Sequence, residues 1–215
     1  MWLARRSIWR RGSTVDVKTW VVIPIKGVAR AKTRLSAVLS QERRARLVAT
    51  MLATVVDAVR GAAPDAVVTL VGPSRHGIDP AIALLPDGQS GLNMALAIGR
   101  DAALADGAER ILFLPADLAR IGSNDVRALL ATAPSRAVIA PDHALTGTNA
   151  LLLPAALAVD FVLQYGEDSF AAHSREAARL GTALTVVTRP GLQLDIDTPE
   201  DLILLERPGQ QEPQL

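Results

Sequence analysis

The chain contains no cysteine. That excludes disulfides, thiolate nucleophiles and cysteine-ligated zinc or iron–sulfur centres, and it is compatible with a cytoplasmic protein. Aromatic residues make up only 3% of the chain, too few for the stacking platforms on which single-stranded nucleic acids are bound. The three histidines are scattered, at positions 76, 143 and 173, and suggest no imidazole-based relay. No apolar run approaches the ~20 residues of a membrane-spanning helix. Neither GxxxxGK[ST] nor GxGxxG is present, so neither a P-loop nor a dinucleotide fingerprint is expected.

What is present is an apolar fraction of 49% in 215 residues, enough for one core in a single α/β domain. Charge is unevenly placed. Residues 1–18 carry Arg5, Arg6, Arg10, Arg11 and Lys18 against Asp16, a net +4; the rest therefore carries −3 within an overall +1. This segment holds arginine pairs but no continuous apolar stretch, so it reads as a basic, disordered extension rather than a secretory signal. Residues 19–206 read as the domain, and the Pro/Gln-rich 207–215 as a frayed tail. An acidic body argues against a nucleic-acid partner.

Apolar, β-branched runs alternate with helical patterns. Strands are expected over Trp20–Ile25, Ala66–Val71, Ala83–Leu85, Arg110–Leu114, Ala137–Ala140, Ala150–Leu153 and Ala183–Thr188. Helices are expected over Gln41–Val59 with Ser40 as cap, Leu92–Leu104, Asn124–Ala133, Ser169–Leu180 and Asp197–Glu206. Gly27–Leu39 reads as a polar, basic loop. The strands are continuously apolar rather than alternating, which predicts a mostly parallel sheet with helices on both faces, a three-layer αβα arrangement. Ligands in such sheets bind beyond the carboxyl ends of the strands.

Several motifs fall at that edge. Asp195 and Asp197 are spaced i, i+2, so an extended backbone points both the same way. Asp117 closes the run Ile111–Ala116. Three carboxylates brought together would make an oxygen cage suited to Mg2+, and hence to phosphate chemistry. Singly, Asp117 could be a turn acid and Asp197 a helix cap. The first loop carries Lys26, Arg30, Lys32 and Arg34, a set able to neutralise a triphosphate or simply to be solvated. Gly147-Thr148-Asn149 offers backbone and short polar side chains to an oxyanion, or is a tight turn. Gly166–Ser169 leads into a helix whose first amides could hold a phosphate or carboxylate, with Ser169 otherwise a plain cap. His173, one turn after Ser169, reads as a structural histidine, and His76 and His143 as loop histidines.

Taken in order, Ile23-Pro24-Ile25-Lys26, Ala31–Ser36, Gly91-Leu92-Asn93, Pro115-Ala116-Asp117-Leu118, Gly147–Leu151, Tyr165–His173 and Asp195–Pro199 resemble one family throughout residues 20–206. It is the 2-phospho-L-lactate guanylyltransferase family of coenzyme F420 biosynthesis, which includes phosphoenolpyruvate and 3-phospho-D-glycerate guanylyltransferases. The resemblance implies a nucleotidyltransferase fold of the glycosyltransferase-A type. It implies that GMP is moved from GTP to a three-carbon phosphorylated acid with release of pyrophosphate, and that the product passes to a downstream deazaflavin transferase. By the same resemblance Asp117, Asp195 and Asp197 would hold Mg2+, with Lys26, Asp117 and Asp197 as the catalytic residues. Lys26, Lys32 and Arg34 would meet the triphosphate and Asn93 would lie by the nucleoside. Thr148, Gly166 and Ser169 would hold the acid.

Two positions depart from the family pattern: Ala119 stands where proline is usual, and Tyr165 where phenylalanine is common. Two other readings stay open, a nucleotidyltransferase of the same fold acting on a sugar phosphate or molybdopterin, and a non-catalytic nucleotide-binding protein. The three intact aspartates weigh against the second. The acceptor acid is not decided by these residues, although the form of Gly147–Leu151 leans away from phosphoenolpyruvate. A homodimer is left open.

Overall fold

The computed structural model describes residues 17–27, 32–88, 90–193, 195–196 and 198–206. The expected basic extension, apart from Val17 and Lys18, and the expected frayed tail lie outside the described residues. Lys18 itself is tied to the fold: its ammonium is 2.8 Å from Asp106 and its backbone N–H donates to Glu109.

The apolar runs form a seven-stranded sheet: β1 (Thr19–Pro24), β2 (Val67–Val71), β3 (Ala83–Leu85), β4 (Arg110–Phe113), β5 (Val138–Pro141), β6 (Thr148–Pro154) and β7 (Thr185–Val186). Their order across the sheet is β3-β2-β1-β4-β6-β5-β7. Neighbours are parallel except at β6, which runs against both β4 and β5. Around the sheet lie α1 (Gln41–Ala62), α2 (Leu92–Ala105), α3 (Ser123–Leu130), α4 (Ala155–Ala158), α5 (Ser169–Arg179), α6 (Pro190–Gln193) and α7 (Pro199–Glu206).

The continuous apolar runs follow from burial of both sheet faces. Val21, Ile23, Leu112, Val138 and Leu152 join one core with Leu52, Val55 and Val59 of α1 and Val126 and Leu129 of α3. Their strand neighbours Val22, Ile111, Phe113, Ile139 and Leu151 point the other way, against Leu96 of α2, Ala158 of α4 and Ala177 of α5. Successive strand residues face opposite sides, so neither set can be polar. The three-layer, mostly parallel arrangement is the expected one.

Differences from expectation lie at the ends. The third helix stops at Leu130, where Ala131 closes the last turn onto Arg127, three residues before Pro134 bars further helix. The last strand keeps only Thr185 and Val186 in the ladder, since it pairs on one side alone, with β5. The final helix begins at Pro199. Its cap is Thr198, whose N–H and hydroxyl both donate to Asp201 at 2.7 and 2.9 Å while the Asp201 N–H donates back to the hydroxyl at 3.4 Å, a reciprocal box; Asp197, the other candidate cap, lies outside the described residues. The basic first loop contains a 3₁₀ turn, Thr33–Ala37, entered through Lys32 in a left-handed conformation with φ 52°.

Candidate active site

Register decides what meets at the mouth of the sheet. Phe113, the last residue of β4, pairs with Leu151 of β6. Because β6 is reversed, its opening residues Thr148 and Asn149 lie beyond that pair on the same side as the exit of β4, which leads through Leu114 to Asp117. Asn149 is locked there by donating to the Leu192 carbonyl at 2.9 Å.

A small third core holds the acidic side together. Leu35 of the 3₁₀ turn, Val48 and Met51 of α1, and Ile196 are buried against one another, with Ala119 and Leu202 at the edge. Ile196 is fully buried, so a single apolar anchor holds Asp195–Ile196 beside the loop carrying Asp117 and the turn carrying Lys32. Asp195 is half-buried. Asp197 lies outside the described residues, as does Arg30. Among the described residues no three acids or histidines gather into a metal cage.

Lys32 and Asp117, 85 residues apart, meet directly: Nζ lies 2.6 Å from Oδ2. The Lys32 side chain is only 7% exposed while that of Asp117 is 28% exposed, so the ammonium is shielded and the carboxylate keeps a face to solvent. Lys26 is exposed just beyond β1, and its carbonyl is held 3.0 Å from His76 Nε2. Arg34 is exposed on the 3₁₀ turn.

The second half of the site is built by β6 and α5. Gly166 has φ +137°, a conformation that suits glycine, and a Cβ there would meet nothing within 4 Å. Ser169 opens α5 and is buried. The helix has no side-chain cap, so its positive end favours an anion, although one first-turn amide is already engaged. The Phe170 N–H donates to the Thr146 carbonyl in the bend that precedes β6, at 2.9 Å. His173, on the same face one turn later, bonds Thr148 through Nδ1 and the Gln164 backbone through Nε2, both at 3.0 Å. Burial lowers its pKa to about 4, opposed in part by the nearby Glu176 carboxylate. This histidine is thus buried and bonded at both ring nitrogens, to two partners that no local pattern indicates. Asn93 was expected by the nucleoside; its amide is engaged with Tyr165, accepting from the N–H at 2.8 Å and donating to the carbonyl at 3.0 Å.

A separate open cleft of about 600 Å³ lies by α3 and α6, lined by Arg120, Asp125, Arg127 and Arg189 among others. It contains none of the expected site residues. Its charges are internally occupied: Arg189 pairs with Asp125 at 3.3 Å, and Arg127 bonds Asn124 and the Gly61 carbonyl.

The seven-stranded order with its one reversed strand is the architecture of a nucleotidyltransferase fold. Solved structures agree: a Desulfovibrio desulfuricans G20 chain assigned as a nucleotide-diphospho-sugar transferase superposes with a TM-score of 0.71 at 18% identity, over 89% of this chain and 87% of the other. A Mycobacterium tuberculosis H37Rv chain solved in complex with manganese gives 0.56 at 16% identity, over 88% and 97%. Residues 19–211 match the family model described as guanylyl transferase CofC like, and the chain belongs to that family of guanylyltransferases. Among its relatives are the phosphoenolpyruvate guanylyltransferase of Rubrobacter xylanophilus, 43% identical over 90% of this chain and 96% of the relative, and the 3-phospho-D-glycerate guanylyltransferase of Phenylobacterium zucineum, 32% identical over 86% and 88%.

Proposed function

We propose that this guanylyltransferase moves GMP from GTP to phosphoenolpyruvate, releasing pyrophosphate, as a step of coenzyme F420 biosynthesis in the cytoplasm. The choice of acid reverses the lean taken from Gly147–Leu151. It is supported by the names of the relatives, phosphoenolpyruvate guanylyltransferases at 43, 38, 36 and 35% identity against 32% for those named for 3-phospho-D-glycerate. The observation that carries the reading is the meeting of Lys32 and Asp117 at the mouth of the sheet, beside a segment anchored through Ile196.

The chemistry follows from charge. The acceptor's phosphate has a second pKa of ~6, so its oxygen is already ionised at neutral pH and needs no general base. His173, buried and bonded at both nitrogens, is not available for such a role. The phosphate oxygen forms a bond to the α-phosphorus of GTP as the bond to the pyrophosphate oxygen breaks. Lys26, Lys32 and Arg34 neutralise the triphosphate and the departing pyrophosphate, and Asn93 borders the nucleoside. Thr148, the Gly166 backbone, Ser169 and the uncapped start of α5 hold the acid.

Asp117, Asp195 and Asp197 would hold Mg2+. An all-carboxylate donor set fits a hard cation, and the Lys32 ammonium against Asp117 marks that carboxylate as a position that takes positive charge. When bound, the metal supplies Lewis-acid charge neutralisation at the phosphates.

GTP supplied with phosphoenolpyruvate, 2-phospho-L-lactate or 3-phospho-D-glycerate, with pyrophosphate release followed, tests the proposal. Turnover with phosphoenolpyruvate, and a product accepted by the deazaflavin transferase, is the expected result. Turnover only with another of the acids overturns the choice of acceptor, and turnover only with CTP or a sugar phosphate overturns the reading as a whole.

A further inference from the structure

Behind the proposed acid site, the hydrogen bonds have one self-consistent set of directions. The Gln164 backbone N–H can only donate, so His173 Nε2 must accept it. A neutral imidazole then carries its hydrogen on Nδ1, and that hydrogen points at Thr148 Oγ1, 3.0 Å away. Thr148 is thereby the acceptor of this bond, and its own hydroxyl hydrogen is directed elsewhere. The ring's surroundings favour the neutral state. Phe161 and Tyr165 cover it with ring centroids 5.9 and 4.8 Å away. The nearby acid, Glu176, is already satisfied by Arg179 at 2.7 Å and by the Val162 N–H.

The same residues hold the loop opposite. Gln164 is fixed by His173, and Tyr165 by both arms of the Asn93 amide. These two tethers immediately precede Gly166, whose open side faces free space.

We infer that His173 is a positioning residue for the acceptor acid: by donating to Thr148 from Nδ1 and accepting from Gln164 at Nε2, it turns the Thr148 hydroxyl into a donor toward the acid's anionic oxygens and sets the spacing between Thr148 and the Gly166 loop. The inference rests on the assignment of Thr148, Gly166 and Ser169 to the acid. It joins the two arms of that site, 148 and 164–166, through one ring that never touches substrate.

The test is steady-state kinetics on His173→Gln, His173→Asn and Thr148→Val, with GTP and phosphoenolpyruvate varied separately. Glutamine reaches the Nε2 position and keeps an acceptor for Gln164 while giving up the bond to Thr148. Asparagine keeps a donor near Nδ1 and gives up the tether to Gln164. Each histidine variant is expected to raise the KM for phosphoenolpyruvate roughly tenfold, the worth of one hydrogen bond to a charged group, with the KM for GTP unchanged. Thr148→Val combined with His173→Gln should cost little more than either alone. Unchanged acid KM in both histidine variants, with Thr148→Val still raising it, overturns the positioning role and leaves the acid site standing. No effect of Thr148→Val on the acid KM overturns the site assignment beneath it.

A measurement on the unaltered protein covers the case in which the histidine variants fail to fold. The ring nitrogens of His173, observed by 15N NMR, should show the Nδ1–H tautomer and shift on addition of phosphoenolpyruvate with GTP present but not with GTP alone. The Nε2–H tautomer, or no acid-dependent shift, overturns the inference.

Discussion

Asp117 keeps one face to solvent while Lys32 covers the other, so its replacement should disturb chemistry more than folding. Asp117→Asn is expected to lower kcat at least roughly a hundredfold, the scale of one lost electrostatic contact in a transition state, with an unchanged circular dichroism spectrum; a fully active variant would remove the acid from the mechanism. Tyr165 presents the opposite case. Its hydroxyl is buried and meets no hydrogen-bond partner among the described residues, and burial pushes its pKa up. Tyr165→Phe should therefore leave stability unchanged or raise it by up to about 1 kcal/mol, since a buried unsatisfied donor is costly to keep; a lower urea midpoint would show that the hydroxyl finds a partner in solution. At this scale the sequence singles out Lys32 and Asp117 by residue type, and the structure adds that they meet each other. The sequence is silent where a task depends on a distant partner. Nothing near Asn93 indicates that its amide closes on Tyr165, 72 residues on, and nothing near Thr148 indicates the ring of His173.

Among elements, α2 packs on β1 with no room to spare. A Cβ on Gly99 would run into the Val22 side chain, whose branched methyls leave it little freedom to turn aside. Gly99→Ala should lose about 1–3 kcal/mol, the usual cost of overpacking, despite alanine's better helix propensity; a stability gain in denaturant would mean the helix moves away freely. The last helix depends on its Thr198–Asp201 box. Thr198→Ala should cost about 1 kcal/mol and, because Leu202 packs beside Ile196, should also weaken turnover, measured by the same pyrophosphate assay. Strands were legible because burial on both faces leaves them uniformly apolar. The short α4 and α6 were not, because four residues are too few to display a helical period. The direction of β6 was equally hidden: a strand buried on both faces has the same composition whichever way it runs.

For the molecule as a whole, two groups on α5 make stability depend on pH. Buried His173 has its pKa lowered from 6.5 to about 4 by desolvation. The unfolded chain therefore takes up a proton that the folded one refuses, and stability falls as pH drops from about 6.5 toward 4. Glu176 has its pKa lowered from 4.5 to about 2, chiefly by its hydrogen bond from Arg179. Its contribution is present above about 4.5 and is lost below that as the pH approaches 2. Urea midpoints recorded from pH 7 to pH 3 should decline throughout that range; a flat profile between pH 6.5 and 4.5 would mean that the imidazole reaches water. The reversal of β6 carries a separate consequence. Every parallel strand delivers side chains to the mouth as the chain departs, but here the chain arrives, straight from the bend at 142–147. If Thr148 holds the acid as proposed, lengthening or trimming that bend would reshape the acid's side of the site without touching the segments that deliver Lys32 and Asp117. Selectivity for one substrate can thus drift while handling of the other stays fixed.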